Sequence, residues 1–264
     1  MTVEEIDDVR SDPIARKYLR PFPGARELLH NLDRWCLWLA DAPPEDVLNS
    51  PILRERVRNV REFRSRSTAA STREAANTPT LFRQIAQPST RFLCIPRHVS
   101  ERRSYFPVLS YEPEVVASDA NFIADDPDGV AFAYLSSAMF IAWFRLVGGR
   151  IKSDLRFNKL LVYNTFPAPT TTSDVRERII NAAGEVLAAR SVFPDSSLAT
   201  LYDPDAMPPA IARAHKRLDA AVDKAFAPRR REAFGSVVAR QEFLFARYLA
   251  MTKGMDMSLF DEDS

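Results

Sequence analysis

Glycine is scarce in this chain, with seven among 264 residues. The one adjacent pair, Gly148-Gly149, follows an apolar run, whereas a loop that cradles phosphate opens a helix. G-x-G-x-x-G, P-loop and G-x-S-x-G patterns are all missing, which excludes the common nucleotide-binding and nucleophile-elbow turns. Three histidines, His30, His98 and His215, lie scattered without the cysteine or carboxylate spacing of a zinc site. No metal and no catalytic residue is therefore expected. His215 sits in AHKRLDAAVD beside an apolar stripe, where a hydrogen-bonded structural histidine is the expectation. Only Cys36 and Cys94 occur, each inside an apolar stretch, and both read as buried free thiols. No apolar run reaches the roughly eighteen residues that span a bilayer. The acidic start MTVEEIDDVR lacks the apolar core of a secretory signal. A cytoplasmic location without membrane contact is expected.

Lysine is rare too, six against thirty arginines, and the net charge of +1 hides an uneven distribution. Residues 1–50 carry six basic and ten acidic side chains, whereas residues 51–110 carry twelve arginines, no lysine and four glutamates. A local block of +8 in a nearly neutral protein is the footprint of a polyanion-binding face. Arginine's planar fork suits phosphate oxygens and guanine edges.

Along the chain, residues 1–20 read as a helical or loosely ordered lead-in. Arg34 to Leu39 reads as a short buried strand. Ser50-Pro51 is an N-cap followed by a first-turn proline. Behind it Leu53, Val57, Val60 and Phe63 recur at helical spacing, with Arg54, Arg58 and Arg61 on another face. Three β-type runs follow: RFLCIPR, YFPVLSY and VVASDANFIA. Val130 to Val147 is apolar nearly all round and predicts one deeply buried helix, stopped by Gly148-Gly149. Arg150 to Val162 alternates like a strand, or an extended loop plus strand. Helices are then predicted from Ser173 (Val175, Ile179, Ala183, Val186), from Pro208-Pro209 (Ile211, His215, Leu218, Val222) and from Pro228 to Met251 (Phe234, Val238, Phe245, Tyr248). The layout is α+β: a mixed α/β domain over 1–169, a helical domain over 170–254 and a frayed tail over 255–264.

Several strings, in order, resemble the C-terminal half of MmeI-like (type IIL) restriction–modification enzymes. They are Arg20-Pro21-Phe22-x-Gly24, Arg34-Trp35-Cys36-Leu37-Trp38-Leu39, and Ile95-Pro96-Arg97-His98-Val99-Ser100-Glu101-Arg102-Arg103. Trp143-x-Arg145-x-Val147-x-Gly149-Arg150 and Tyr163-Asn164-Thr165-Phe166-Pro167-Ala168-Pro169 continue the series. It ends with Ser197-Leu198-Ala199-x-Leu201-Tyr202-Asp203-Pro204 and Ala214-His215-x-x-Leu218-Asp219-x-Ala221-Val222-Asp223. No single string is diagnostic, but the ordered set is specific. The resemblance implies a target recognition domain followed by helices, beginning where an adenine methyltransferase domain ends. The missing half is then either the rest of the same polypeptide or a separate one. The family's nuclease and its S-adenosylmethionine site lie upstream. No cofactor is expected in this chain, which also lacks the Asn-Pro-Pro-aromatic tetrad of the methyltransferase.

A protein reading double-stranded DNA needs phosphate contacts for position and base-edge contacts for sequence. Arg54, Arg58, Arg61, Arg64 and Arg66 on the basic helix, with Arg73, are the positioning candidates; a solvated helix face is the bland alternative. Lys152, Asp154 and Arg156 are the base-reading candidates, because alternate residues of an extended run point one way. Lysine donates to guanine O6/N7 and aspartate accepts from cytosine N4. The resemblance implies base-specific pairs in this same stretch; a surface salt bridge is the alternative. Ser118 and Ala120 are secondary candidates for close approach to a base. Arg97, Arg102 and Arg103 bind backbone, or else Glu101 ties them into an internal network. A rival reading makes Trp35, Trp38, Phe140 and Trp143 a partner-binding surface of a scaffold docking a methyltransferase or nuclease.

Overall fold

The computed structural model describes residues 1, 3–230 and 234–254. Its helices begin with α1 (Val3–Ser11), α2 (Ala25–His30), α3 (Pro44–Asn49), α4 (Pro51–Ser65) and α5 (Ala70–Glu74). They continue with α6 (Val130–Leu135), α7 (Ala138–Val147), α8 (Ser173–Ser191), α9 (Leu198–Leu201), α10 (Pro209–Phe226) and α11 (Val237–Thr252). The strands are β1 (Leu19–Pro21), β2 (Trp35–Leu37), β3 (Phe92–Pro96), β4 (His98–Val99), β5 (Leu109–Tyr111), β6 (Asn121–Asp125), β7 (Gly149–Ile151) and β8 (Asp154–Arg156). The α+β class holds.

Two compact units divide the chain. The first comprises Met1–Pro23, Leu32–Ser89 and Pro113–Ser118. Val9, Ala15, Leu39 and Leu53 form its core. β1 and β2 pair antiparallel, with Arg20 opposite Cys36. Ser50 caps α4 as its spacing predicts: its Oγ accepts the Leu53 N–H at 3.1 Å and donates to Asp12 at 2.6 Å. That joint fixes where α4 leaves the core. Phe82 stacks on Trp38 with ring centroids 5.4 Å apart, anchoring the segment after α5. Gln87 Nε2 donates to the carbonyls of Pro113 and Val115, tying in the distant segment.

The second unit comprises Gly24–Asn31, Thr90–Glu112 and Asp119–Ser264. Every residue of β3 is buried, because β5 and β6 flank it antiparallel and helices cover it. The other sheet has the order β4-β8-β7. The apolar α7 buries Met139 through Phe144, and α8, α10 and α11 contribute Ile179, Val186, Leu218, Val222 and Leu244 to the same core. Both cysteines are buried free thiols.

Four expectations need correction. The predicted single helix over Val130 to Val147 is two, because Ser137 Oγ caps a new start by accepting the Phe140 N–H at 3.2 Å. The stretch from Arg150 to Val162 is a hairpin and then a π-helical turn over Lys159–Tyr163, not one extended run. The last helix starts at Val237, capped by Ser236, instead of Pro228; residues 231–233 of the expected span, and the expected frayed tail over 255–264, lie outside the described residues. Phe63, Val238 and Phe245 are exposed, so the stripes of α4 and α11 are narrower than their periodicity implies. Thr172 precedes α8 without a side-chain cap, leaving Ser173 as its first residue.

Candidate nucleic-acid interface

In the first unit α4 presents an arginine face. Arg58 and Arg61 are exposed and, among the described residues, make no hydrogen bond or ion pair. Arg54 is exposed and donates to the Leu48 carbonyl at 2.8 Å. Arg66 is exposed and pairs loosely with Glu62 at 3.7 Å, an arrangement that contributes little in water. Arg73 donates to the carbonyls of Ser67 and Thr68. Arg64 differs from the rest: it donates to Ala75, Thr78 and Leu81 carbonyls at 2.9, 3.0 and 2.7 Å. Its guanidinium therefore closes the loop after α5, a use that its place in the arginine series does not reveal. Burial, followed by the charge of Arg83, holds its pKa below the ordinary arginine value.

In the second unit β7 and β8 form a hairpin whose pairing of Ile151 with Asp154 leaves Lys152-Ser153 as a two-residue turn. Lys152 lies at φ 55°, a left-handed conformation that costs a non-glycine residue of order 1 kcal/mol. Arg150 braces the tip by donating to the Ser153 carbonyl and to Glu101, both at 3.0 Å. Directly opposed residues of an antiparallel pair share a face, although β7 is exposed throughout and its Arg150, opposite Leu155, stays outside the core. Leu155 and Val99 point into the core, while Asp154, Arg156 and His98 lie on the other face. Arg156 sits between His98 and Gly149, and a Cβ at Gly149 would meet nothing. Lys152 and Arg156 are exposed and Asp154 is half-buried. Asp154 and Arg156 thus share a face through alternation, whereas Lys152 lies in the turn, outside the alternation that the sequence implied. His98 was missed as a candidate, since nothing local in the sequence announces that a two-residue strand pairs beside Arg156.

The remaining candidates separate. Arg97 is exposed with its guanidinium 4.9 Å from the Phe122 ring centroid. Arg102 pairs with Asp205 at 2.5 Å, a bond that raises its pKa. Arg103 is half-buried and donates to the Leu198 carbonyl at 3.2 Å; burial depresses its pKa against the opposing charges of Asp203 and Asp154. Internal bonding thus claims Arg103, and Glu101 binds Arg150 instead of the three arginines proposed for it. Ser118, at 3 % exposure, offers no side-chain surface for a base. Ala120 is half-buried just before β6.

His215 is fully buried; its Nε2 lies 2.7 Å from Tyr202 Oη, which also accepts from Arg190 Nε at 2.7 Å. Burial, reinforced by the Arg190 charge, drives His215 down to about 3, so it is neutral and structural. Asp219 accepts from the Ala138 N–H at 2.7 Å and from Tyr105 at 2.8 Å, while burial pushes it up to about 6. Phe140 and Trp143 are core residues at 1 % exposure, and Trp38 stacks within its own unit. Among the described residues no group of three or more His, Cys, Asp or Glu could hold a metal, and no helix is long and apolar enough to cross a membrane.

Comparison with known proteins agrees with the sequence resemblance. The family model for the MmeI target recognition domain matches residues 1–170, and that for the MmeI C-terminal domain matches 172–256. DNA methyltransferase A of Bacillus subtilis (strain 168) is 31 % identical over 250 residues, which are 95 % of this chain and 28 % of that protein. A solved structure of the Type IIL restriction-modification enzyme MmeI in complex with DNA matches with a TM-score of 0.88 at 38 % identity, covering 96 % of this chain and 34 % of that one. The chain thus spans only a part of each relative's length. It belongs to the MmeI family, of which it carries the target recognition domain and the C-terminal domain.

Proposed function

We propose that this chain is the sequence-reading module of a restriction–modification adenine methyltransferase and is not catalytic by itself. The observation that carries the reading is the β7–β8 hairpin: a core-anchored ribbon that sets Lys152, Asp154 and Arg156 on its tip and outer face. A two-stranded ribbon fits the major groove, about 12 Å wide. Lys152 donates to guanine O6 or N7, Asp154 accepts from cytosine N4–H, and Arg156 adds a second donor fork. Arg54, Arg58 and Arg61 on α4 hold the phosphates, with Arg66, Arg97 and Arg102 as exposed helpers. Phosphate contact fixes register and base contact fixes sequence. The named relatives, a DNA methyltransferase and an enzyme solved with DNA, support this assignment. The methyltransferase domain, with its S-adenosylmethionine, is the partner, in cis or as a separate chain.

Selecting duplexes from a randomised pool with this chain, then sequencing the bound fraction, tests the reading. A defined motif is expected. A variant combining Lys152→Asp with Asp154→Lys should change the preferred base pair at one position, where the correct base gains about 1–3 kcal/mol. If the parent enriches no motif, the module reading is wrong. If the exchanged variant enriches the parent's motif, the hairpin does not read bases.

A further inference from the structure

An open cavity of about 650 Å³ in the first unit is lined by Arg64 from α4, by Ser71 from α5, and by Asn77, Thr78 and Arg83 from the segment that follows. Its two guanidiniums are fixed by neutral acceptors. Arg64 bonds three carbonyls. Arg83 donates from Nη1 to Thr72 Oγ1 at 2.9 Å and from Nη2 to Ser71 Oγ at 3.1 Å. Glu74 also lines the cavity, yet among the described residues neither arginine is within ion-pair range of a carboxylate. The two cations feel one another, since the charge of Arg83 depresses the pKa of Arg64. Two positive charges held on one cavity by neutral groups favour an anion there.

The donors fit an oxyanion. Arg83 has five N–H groups, of which two are engaged. Ser71 and Thr72 accept from Arg83, so their own hydroxyl protons stay available to donate. A fork with hydroxyls beside it is the bidentate arrangement that phosphate oxygens take. The cavity opens to solvent, so a phosphate can enter while its strand continues on both sides.

We propose that this cavity seats one phosphodiester of the DNA backbone, with Arg83 as its principal ligand and Arg64 as its fixed second charge. The proposal rests on the DNA-reading function above and adds a contact away from the exposed arginine row of α4.

The test compares Arg83→Gln with Arg83→Lys in the 264-residue chain. Affinity for a selected duplex and an unrelated duplex is measured against salt. Arg83→Gln should lower the log–log salt slope by about 0.9 and weaken both duplexes alike. Arg83→Lys should keep most of the slope, because it keeps the charge. Both variants lose the two-pronged bond to Ser71 and Thr72, so a merely structural role would make them behave alike, and that result overturns the proposal. A second arm titrates inorganic phosphate into the DNA-free chain and follows the Arg83 Nε resonance by NMR. A shift that is lost when duplex occupies the cavity supports the seat. A phosphate shift together with an unchanged slope in Arg83→Gln assigns the cavity to a free oxyanion and overturns it. An unchanged slope with no shift overturns it as well, while leaving the DNA-reading function intact. Should the parent bind no duplex at all, the functional reading fails first and takes this seat with it.

Discussion

α4 and the β7–β8 hairpin carry charge in opposite ways. Along fifteen residues α4 repeats arginine on a helix whose start is capped by Ser50, and Arg58 and Arg61 have no partner among the described residues. The hairpin carries few charges, each in an individual setting: Lys152 at a positive φ in the turn, Asp154 half-buried, and Arg156 between His98 and Gly149. A repeated cation tolerates any sequence, since every nucleotide has a phosphate. A donor and an acceptor fixed on a braced turn discriminate, because a wrong base leaves one of them unpaired. On the proposed function, one surface supplies affinity and the other supplies choice.

The largest effect is expected where the hairpin meets the core. Leu155 is fully buried and pairs across to Val99. Leu155→Ala should cost about 2–5 kcal/mol in chemical denaturation. At temperatures where the variant stays folded, it should lose motif preference while keeping the salt slope. A joint fall of preference and slope would show that the two surfaces do not act separately.

Next comes acid sensitivity of the core beneath both sheets. Asp219 rises from 3.8 to about 6 in the fold, so the native state holds a proton that the unfolded chain has released. Its stabilising contribution is complete below pH 3.8 and is lost as pH climbs through about 6. His215 falls from 6.5 to about 3, so its contribution is present above pH 6.5 and is lost as pH falls toward about 3. Over the shared window the two slopes oppose. Asp219→Asn removes one of them while keeping an acceptor for the Ala138 N–H. On acidification from about pH 6 to about pH 4 it should lose about 1.4 kcal/mol more per pH unit than the parent. Equal slopes would mean that the two groups do not titrate in opposition.

The smallest effect per residue belongs to α4. Arg58→Ala and Arg61→Ala should each lower the salt slope by about 0.9 and leave the selected motif unchanged. Stability should stay within about 0.5 kcal/mol, as for exposed positions generally. A shifted motif would erase the division between positioning and reading.

Much of this was legible along the chain. Ser50-Pro51 announced α4, the run from Val130 marked the buried helical segment, and Ile211, His215, Leu218 and Val222 gave the inward face of α10. Short strands were less legible: β1 and β4, of three and two residues, are too brief for any period to register. The break at Ser137 was hidden because the flanking residues are equally apolar. Single arginines were illegible in principle. Arg58 and Arg64 stand in the same series, yet the first is exposed and the second is consumed by three loop carbonyls.

Amino-acid order alone determined the arginine block, the capped start of α4 at Ser50-Pro51, the buried thiols and the want of glycine loops, because each depends on neighbours within a few positions. Tertiary packing decided which guanidiniums stay free, that Arg150 to Arg156 doubles back into a hairpin, and that His98 comes to lie beside Arg156. Those outcomes depend on which distant carbonyl, carboxylate or strand edge arrives first at each polar group, and no local pattern encodes that.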